Sequence, residues 1–248
     1  MEYSPYKKDT SYTYALGAFP VFELLQIRPD LAEHVLLHPS FADNASGIKL
    51  RQLCQQLGVS WSVHEKPFRR LSPKENCYVI AKCRKEEHPL DPNQGHLVLV
   101  NPSDMGNLGS ILRSALGFGF LDVAIIQPAA DIFDPKVVRG SMGACFSLRV
   151  QRFESFHSYR AQYEHHICYP FMLTGSIPLH QFQWPKIAQP AFIFGNEASG
   201  LDADFEKIGT PLIIPHSSHI DSLNLSIAVS IGLYHANTVR PHELDEES

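Results

Sequence analysis

No stretch of the 248 residues comes near the roughly 18 uninterrupted apolar residues that a membrane-crossing helix requires, so no membrane partner is expected. The N-terminal MEYSPYKKDTSYTYALG carries lysines with no apolar run behind them. No secretory signal is therefore expected, and the protein is expected to stay in the cytoplasm. Cysteine is sparse and odd in number: Cys54, Cys77, Cys83, Cys145 and Cys168, with no C-x-x-C pair. That arithmetic argues against a disulfide framework and a zinc site, so reduced thiols, mostly in the core, are expected. The thirteen histidines show no H-E-x-x-H or comparable spacing, and adjacent His165 and His166 do not share a face of a helix or strand. No metal is expected. Also missing is G-x-G-x-x-G after a strand, which removes the main support for a nucleotide-dependent dehydrogenase.

An excess of positive charge is lacking too. The net charge of −5 argues against a protein that coats nucleic acid nonspecifically. The balance is uneven, however. Residues 1–92 hold 12 Lys/Arg against 11 Asp/Glu, whereas residues 93–248 hold 9 against 15. Basic residues gather at Lys66, Arg69, Arg70, Lys74, Lys82, Arg84 and Lys85. Taken alone, this cluster is either a solvated face or a surface for RNA phosphates.

What is present is an ordinary apolar fraction of 44%, enough for a packed core, and a clear alternation of periodicities. FPVFELLQI (19–27) and GIKLRQLCQQLG (47–58) have helical spacing. EHVLLHP (33–39), VSWSV (59–63) and ENCYVIAKC (75–83) suit strands. A small α/β domain over 1–92 follows. EEHPLDPNQG (86–95) has the charge, proline and turn formers of a linker. Beyond it HLVLVN, DVAIIQ, YPFML, AFIFG and PLIIP are continuous apolar runs that suit a parallel sheet covered on both faces. LNLSIAVSIGLYHANTV (223–239) reads as a last helix of about four turns. The second domain is expected over 93–240, with an acidic tail over 241–248.

Open parallel sheets bind ligands beyond the carboxyl ends of their strands. Three such ends carry unusual residues. NPSDMGNLGSILRSALGFGF (101–120) holds Gly106 and Gly109, which allow a close backbone approach, and Arg113 about one turn into the helix after Gly109. FGNEASGL (194–201) brackets Glu197 between Gly195 and Gly200. IPHSSHIDSLNLSIAVSIGLY (214–234) sets Ser222 and Asn224 at the start of the last helix. Each loop alone also has an ordinary reading: a surface arginine on an amphipathic helix, a turn, and an N-cap serine followed by a helix-start asparagine.

In order, the pattern N-x-G-x-x-x-R, G-N-E-x-x-G-L and I-P-(loop)-S-L-N resembles the SpoU (TrmH-like) branch of the SPOUT RNA methyltransferases over residues 96–239. RGSMGACFSLRV (139–150) resembles the family's segment between its first two motifs. The N-terminal region looks more loosely like the L30-like RNA-binding domain that many members carry. The resemblance implies a mostly parallel α/β domain with a deep trefoil knot, a homodimer, and S-adenosylmethionine bound in the knotted loops. It implies backbone contacts to the donor from Gly195, Ile214 and Leu223, with Asn196 and Gly200 in the same donor-binding loop. Asn107, Arg113, Glu197, Ser222 and Asn224 match the polar active-site positions. Two positions depart: where the family usually has Met after Ile-Pro and Gly two residues later, this chain has His216 and Ser218.

The implied reaction is methylation of a ribose 2′-hydroxyl in ribosomal or transfer RNA. DNA is excluded because it lacks that hydroxyl. Such a hydroxyl is a poor nucleophile at neutral pH and needs alignment plus a base or a polariser. Arg113 is awkward as a base because arginine stays protonated. Its other role, gripping the neighbouring phosphate and stabilising developing negative charge, suits a guanidinium better. Arg69, Arg70, Lys82 and Lys85 are the expected RNA contacts of the N-terminal domain. Two rival readings keep the fold: methylation of a base nitrogen, and a catalytically silent RNA-binding paralogue.

Overall fold

A computed structural model describes residues 3–72, 76–175, 177–185 and 189–239. Lys74 and the acidic tail 241–248 lie outside the described residues. The chain divides into two compact units whose bounds differ from 1–92 and 93–240. One comprises Met1–Glu86 with Asp131–Ser147, and the other Glu87–Ala130 with Leu148–Ser248. The segment at 131–147, part of which resembles a family signature, clusters with the N-terminal unit.

In the first unit the chain runs β1 (Tyr12–Leu16), α1 (Ala18–Ile27), β2 (Ala32–Leu37), α2 (Pro39–Ala42), α3 (Ala45–Leu57), β3 (Trp61–Val63), α4 (Lys66–Leu71) and β4 (Val79–Arg84). The four strands form one sheet in the order β1-β4-β2-β3, antiparallel except for β2 beside β3. Sequence explains the helix ends. The Asn44 side chain caps α3 by accepting the Gly47 N–H at 2.8 Å, and Gly58 closes it at φ 69°. One apolar cluster joins Val21, Leu24, Leu25, Leu50 and Cys54 to Val35, Val79 and Ala81. It includes Val138, so the 131–147 segment is part of this core.

In the second unit β5 (His96–Val100), α5 (Met105–Gly117) and β6 (Asp122–Ile126) precede the excursion 131–147, which carries the short α6 (Pro135–Gly140). Then follow β7 (Arg149–Phe153), α7 (Phe156–Gln162), β8 (Ile167–Pro170), β9 (Ile177–Pro178), β10 (Pro190–Phe194), β11 (Leu212–Ile213) and α8 (Leu225–Val239). The fold is α/β with a five-stranded sheet, order β7-β6-β5-β10-β8, all parallel. Every residue of β6 and β10 is buried, as expected of strands covered on both faces. PLIIP contributes only Leu212 and Ile213, paired to β9 in a separate two-stranded sheet. Four of the five cysteines are buried and all five are free thiols.

Among the described residues, every buried side-chain nitrogen and oxygen has a hydrogen-bond partner. The fully buried Asp122 carboxylate receives two hydrogen bonds from Arg149, at 2.7 and 2.6 Å, and one from the Asp91 N–H. His96 donates from Nε2 to the Asp91 carbonyl and stacks on His166. Burial pushes its pKa down to about 4, so the ring is neutral in the folded protein.

Candidate active site

Glu197 organises the site. It follows β10 in a loop whose shape depends on two glycines. A side chain on Gly195 would meet the Gly200 carbonyl carbon at 2.2 Å, and Gly200 itself sits at φ 68°. Asn196 fixes the turn by accepting the N–H groups of Ala198 and Ser199, and its amide donates to the Asn101 carbonyl at 2.8 Å. The Glu197 carboxylate is thereby presented to the loop after β5.

There it gathers five donors. Oε2 accepts the Ser103 N–H at 3.1 Å, the Ser103 hydroxyl at 2.9 Å and the Asn196 amide at 3.3 Å. Oε1 accepts the Asp104 N–H at 3.2 Å and the Asn107 amide at 3.3 Å. A carboxylate has about four lone-pair directions, so its acceptor capacity is used up. Partial burial raises its pKa, but the hydrogen bonds from Ser103 and Asp104 outweigh that and hold it below the usual carboxylate range. Glu197 is a fixed anion that ties two loops together, and its geometry leaves no lone pair for a substrate proton.

From Glu197 a chain of amides runs to the last helix. Asn107 donates to Glu197 and accepts the Asn224 amide at 3.0 Å. The Asn224 carbonyl oxygen accepts both the N–H and the hydroxyl of Ser226, at 2.9 and 2.7 Å. Asn224 is therefore the N-cap of α8. Ser222 is not the cap: it is exposed and lines the adjoining pocket. Helix α5 begins at Met105, with the Asp104 side chain accepting the Asn107 N–H at 2.7 Å. Gly106 and Gly109 thus lie inside the helix, and Arg113 sits about two turns in rather than one. Arg113 is exposed and does not line the pocket.

The pocket, of about 260 Å³, lies beyond the carboxyl ends of β8 and β10. Its lining includes Gly195, Asn196, Glu197, Gly200, Ile214, Ser222 and Leu223. Phe171 and Phe194 also line it, with rings stacked 4.2 Å apart. Ser103, Asp104 and this aromatic pair also belong to the site, together with His216, which the sequence marks only as a departure from the family pattern. The spacing D-x-x-N at 104–107 was a readable cap signal. Ser103 carries no such signal, because its partner is 94 residues away.

In the first unit the four expected RNA contacts do not form one free basic face. Arg69 and Arg70 are exposed on α4, Arg69 beside Glu65. Lys82 is mostly covered, paired with Glu33 at 2.8 Å and lying over the Tyr12 ring. Lys85 is also covered; it donates to the Lys8 carbonyl at 2.9 Å and lies over the Tyr6 ring. Tyr14 is buried and Tyr6 donates to Asp131, so these N-terminal tyrosines are packed. Among the described residues no group of three or more His, Cys, Asp or Glu side chains is placed to hold a metal, and no helix is long and apolar enough to cross a membrane.

Comparison with known proteins gives concordant matches. The model of the SpoU rRNA Methylase family matches residues 94–234. A 23S rRNA (guanosine(2553)-2′-O)-methyltransferase, RlmP of Bacillus subtilis, is 31% identical over 160 residues, which are 63% of each chain. The crystal structure of the SpoU methyltransferase AviRb from Streptomyces viridochromogenes superposes with a TM-score of 0.78 at 21% identity, covering 93% of this chain and 90% of that one. An AdoMet-bound rRNA methyltransferase from Sinorhizobium meliloti superposes at 0.77 and 21%, covering 93% and 88%. The chain spans about half to two thirds of the length of the curated relatives it matches.

Proposed function

The chain belongs to the SpoU rRNA methylase family, and from that premise we propose that it methylates a ribose 2′-hydroxyl of ribosomal RNA with S-adenosylmethionine as donor. The observation that carries this reading is the bonded chain Glu197–Asn107–Asn224 at the rim of the pocket lined by Gly195, Ile214 and Leu223. Relatives named for ribose 2′-O-methylation of 23S rRNA and the AdoMet-bound neighbour support it.

The pocket suits the donor chemically. Its walls are apolar and aromatic, with polar atoms from Thr174, Asn196, Ser222 and His216, as a nucleoside carrying an amino-acid arm requires. The Glu197 anion complements a cationic ligand. Gly195, Asn196, Gly200, Ile214 and Leu223 are the residues we assign to holding the donor, which when bound supplies a methyl group on a sulfonium.

The chain's own residues then position the ribose. Glu197 locks the loop at 103–107 against the loop at 195–201, and this fixes the amides of Asn107 and Asn224 next to the pocket. Ser222 adds a hydroxyl on the rim. With Glu197 saturated, the base is not this carboxylate. Arg113 serves as a phosphate clamp that stabilises negative charge developing on the ribose oxygen.

Arg113 lies outside its own pocket's lining, which fits an enzyme that works as a homodimer. Helix α8 buries Leu225, Val229, Leu233 and Ala236 in its own protomer but leaves Ile227, Ile231 and Tyr234 exposed at 53%, 36% and 58%. These three recur at helical spacing, and a second copy is the partner we assign to them. We read the loops at 195–201 and 213–223 as the knotted region, since β10 sits between β5 and β8, and the first unit as an L30-like RNA platform acting in the cytoplasm. Isothermal titration with S-adenosylmethionine, followed by transfer of labelled methyl to ribosomal RNA, tests the reading. Micromolar donor binding with ribose labelling is expected; absence of donor binding contradicts it.

A further inference from the structure

Only two titratable side chains line the pocket among the described residues, Glu197 and His216. They differ in what they have left to offer. Glu197 has spent its lone pairs on five donors. His216 has one ring nitrogen committed: Nδ1 lies 2.9 Å from the Ile214 carbonyl oxygen. A carbonyl can only accept, so Nδ1 carries the hydrogen, and in the neutral ring Nε2 keeps its lone pair. The same bond pins the ring to the backbone of Ile214, a residue assigned to donor binding. His216 is half-buried and is one of the residues that line the pocket. It also stands at a position where the family resemblance leads to Met, which offers only a weak acceptor.

We propose that His216 is a donor-binding residue, its neutral Nε2 accepting a hydrogen bond from a polar hydrogen of the bound methyl donor. This rests on the reading of the pocket as the donor site. Neutral imidazole supplies the acceptor. A protonated imidazole has no such lone pair and sets a positive charge beside a ligand that is itself cationic, so the neutral ring is the binding form. The other charged groups are few. The pocket lining contributes Glu197, which is already ionised across the relevant range. The lining segments 171–174, 199–201 and 225–228 contribute none, and the loop carrying His216 adds His219 and Asp221.

Two substitutions separate the parts of the claim. His216→Gln keeps an acceptor and cannot titrate; His216→Met removes the acceptor. Dissociation constants for S-adenosylmethionine are measured by calorimetry on the full chain at pH 7.5 and 5.5, with His219→Gln as a control for the neighbouring ring. The ligand's own titration is common to all variants, so differences from wild type are the readout. Wild type and His219→Gln are expected to bind about fivefold or more weakly at pH 5.5, the size of one lost hydrogen bond. His216→Gln is expected to hold close to the affinity of wild type at pH 7.5 at both pH values, and His216→Met to be several-fold weaker at pH 7.5 with no further loss at 5.5. A His216→Met protein that matches wild type at both pH values overturns the proposal. So does any His216 variant that keeps the wild-type pH dependence. If wild type fails to bind the donor at pH 7.5, the donor reading of the pocket fails, which is a different result.

Discussion

Asn224 donates its side-chain amide to the side-chain oxygen of Asn107 at 3.0 Å, across 117 residues of sequence. The polarity of this bond is set from both ends. Asn107 must turn its own amide to Glu197, and Asn224 must turn its oxygen to Ser226. Neither side chain can flip without losing a partner. Asn224→Asp preserves shape but places an acceptor against the Asn107 oxygen. Methyl transfer is expected to fall by orders of magnitude, with a loss of about 1–3 kcal/mol in denaturant stability for an unsatisfied pair. Activity near wild type in the folded variant would remove the amide chain from the mechanism.

Glu197→Gln replaces one acceptor oxygen with an NH2 group, which then faces either the Ser103 N–H, bonded to Oε2, or the Asp104 N–H, bonded to Oε1. A cost of about 1–3 kcal/mol is expected in stability. The pH dependence identifies the cause. Because the folded-state pKa of Glu197 is depressed, its contribution is present above the ordinary carboxylate pKa and is lost as pH falls through the folded value. Wild type should therefore lose stability more steeply than Glu197→Gln below about pH 4.5. Parallel curves from thermal melts at pH 3.5–7 would show that Glu197 is not the clamp.

Ile227→Glu together with Ile231→Glu should leave the protomer folded, because both side chains are substantially exposed within it. Light scattering at micromolar concentration is expected to show a dimer for wild type and a monomer for the double variant, with unchanged circular dichroism. A dimeric double variant would place the interface elsewhere.

Arg69→Glu with Arg70→Glu reverses the two exposed charges of the expected RNA patch. RNA binding should weaken, and the slope of log affinity against log salt should fall by about 1 for each phosphate that is no longer neutralised. The comparable change at Lys82, already bound to Glu33, is expected to affect stability before RNA binding. An unchanged slope in the double variant would remove α4 from the platform. Substitution is the cleaner test here, since a cut at residue 92 would strip Asp131–Ser147 of the core it packs into.

Much of the sheet was legible in the sequence because its central strands are buried on both faces. HLVLV and AFIFG read as uninterrupted apolar runs, and they form β5 and β10. RVQRF gave no such signal, since β7 is an edge strand whose Arg149 and Arg152 are held by Asp122 and Glu87. PLIIP looked like a core strand, yet only two of its residues pair, and they do so outside the main sheet. At the site, spacing pointed to Glu197, Asn107 and Asn224, while the Ser103 hydroxyl that holds Glu197 is visible only in three dimensions. Charge was legible at Lys82 and Lys85, and its neutralisation by Glu33 and Asp131 was not.

The most direct measurement is a map of 2′-O-methyl groups on ribosomal RNA from cells with and without this protein, complemented by wild type, Asn224→Asp or Arg113→Lys. The lysine keeps the charge of Arg113 but loses the paired hydrogen bonds to phosphate. The expected result is one ribose methylation that disappears with the protein, returns with wild type, and does not return with either variant. An unchanged map, or a missing modification on a base nitrogen instead of a ribose, would contradict ribose methylation as the function.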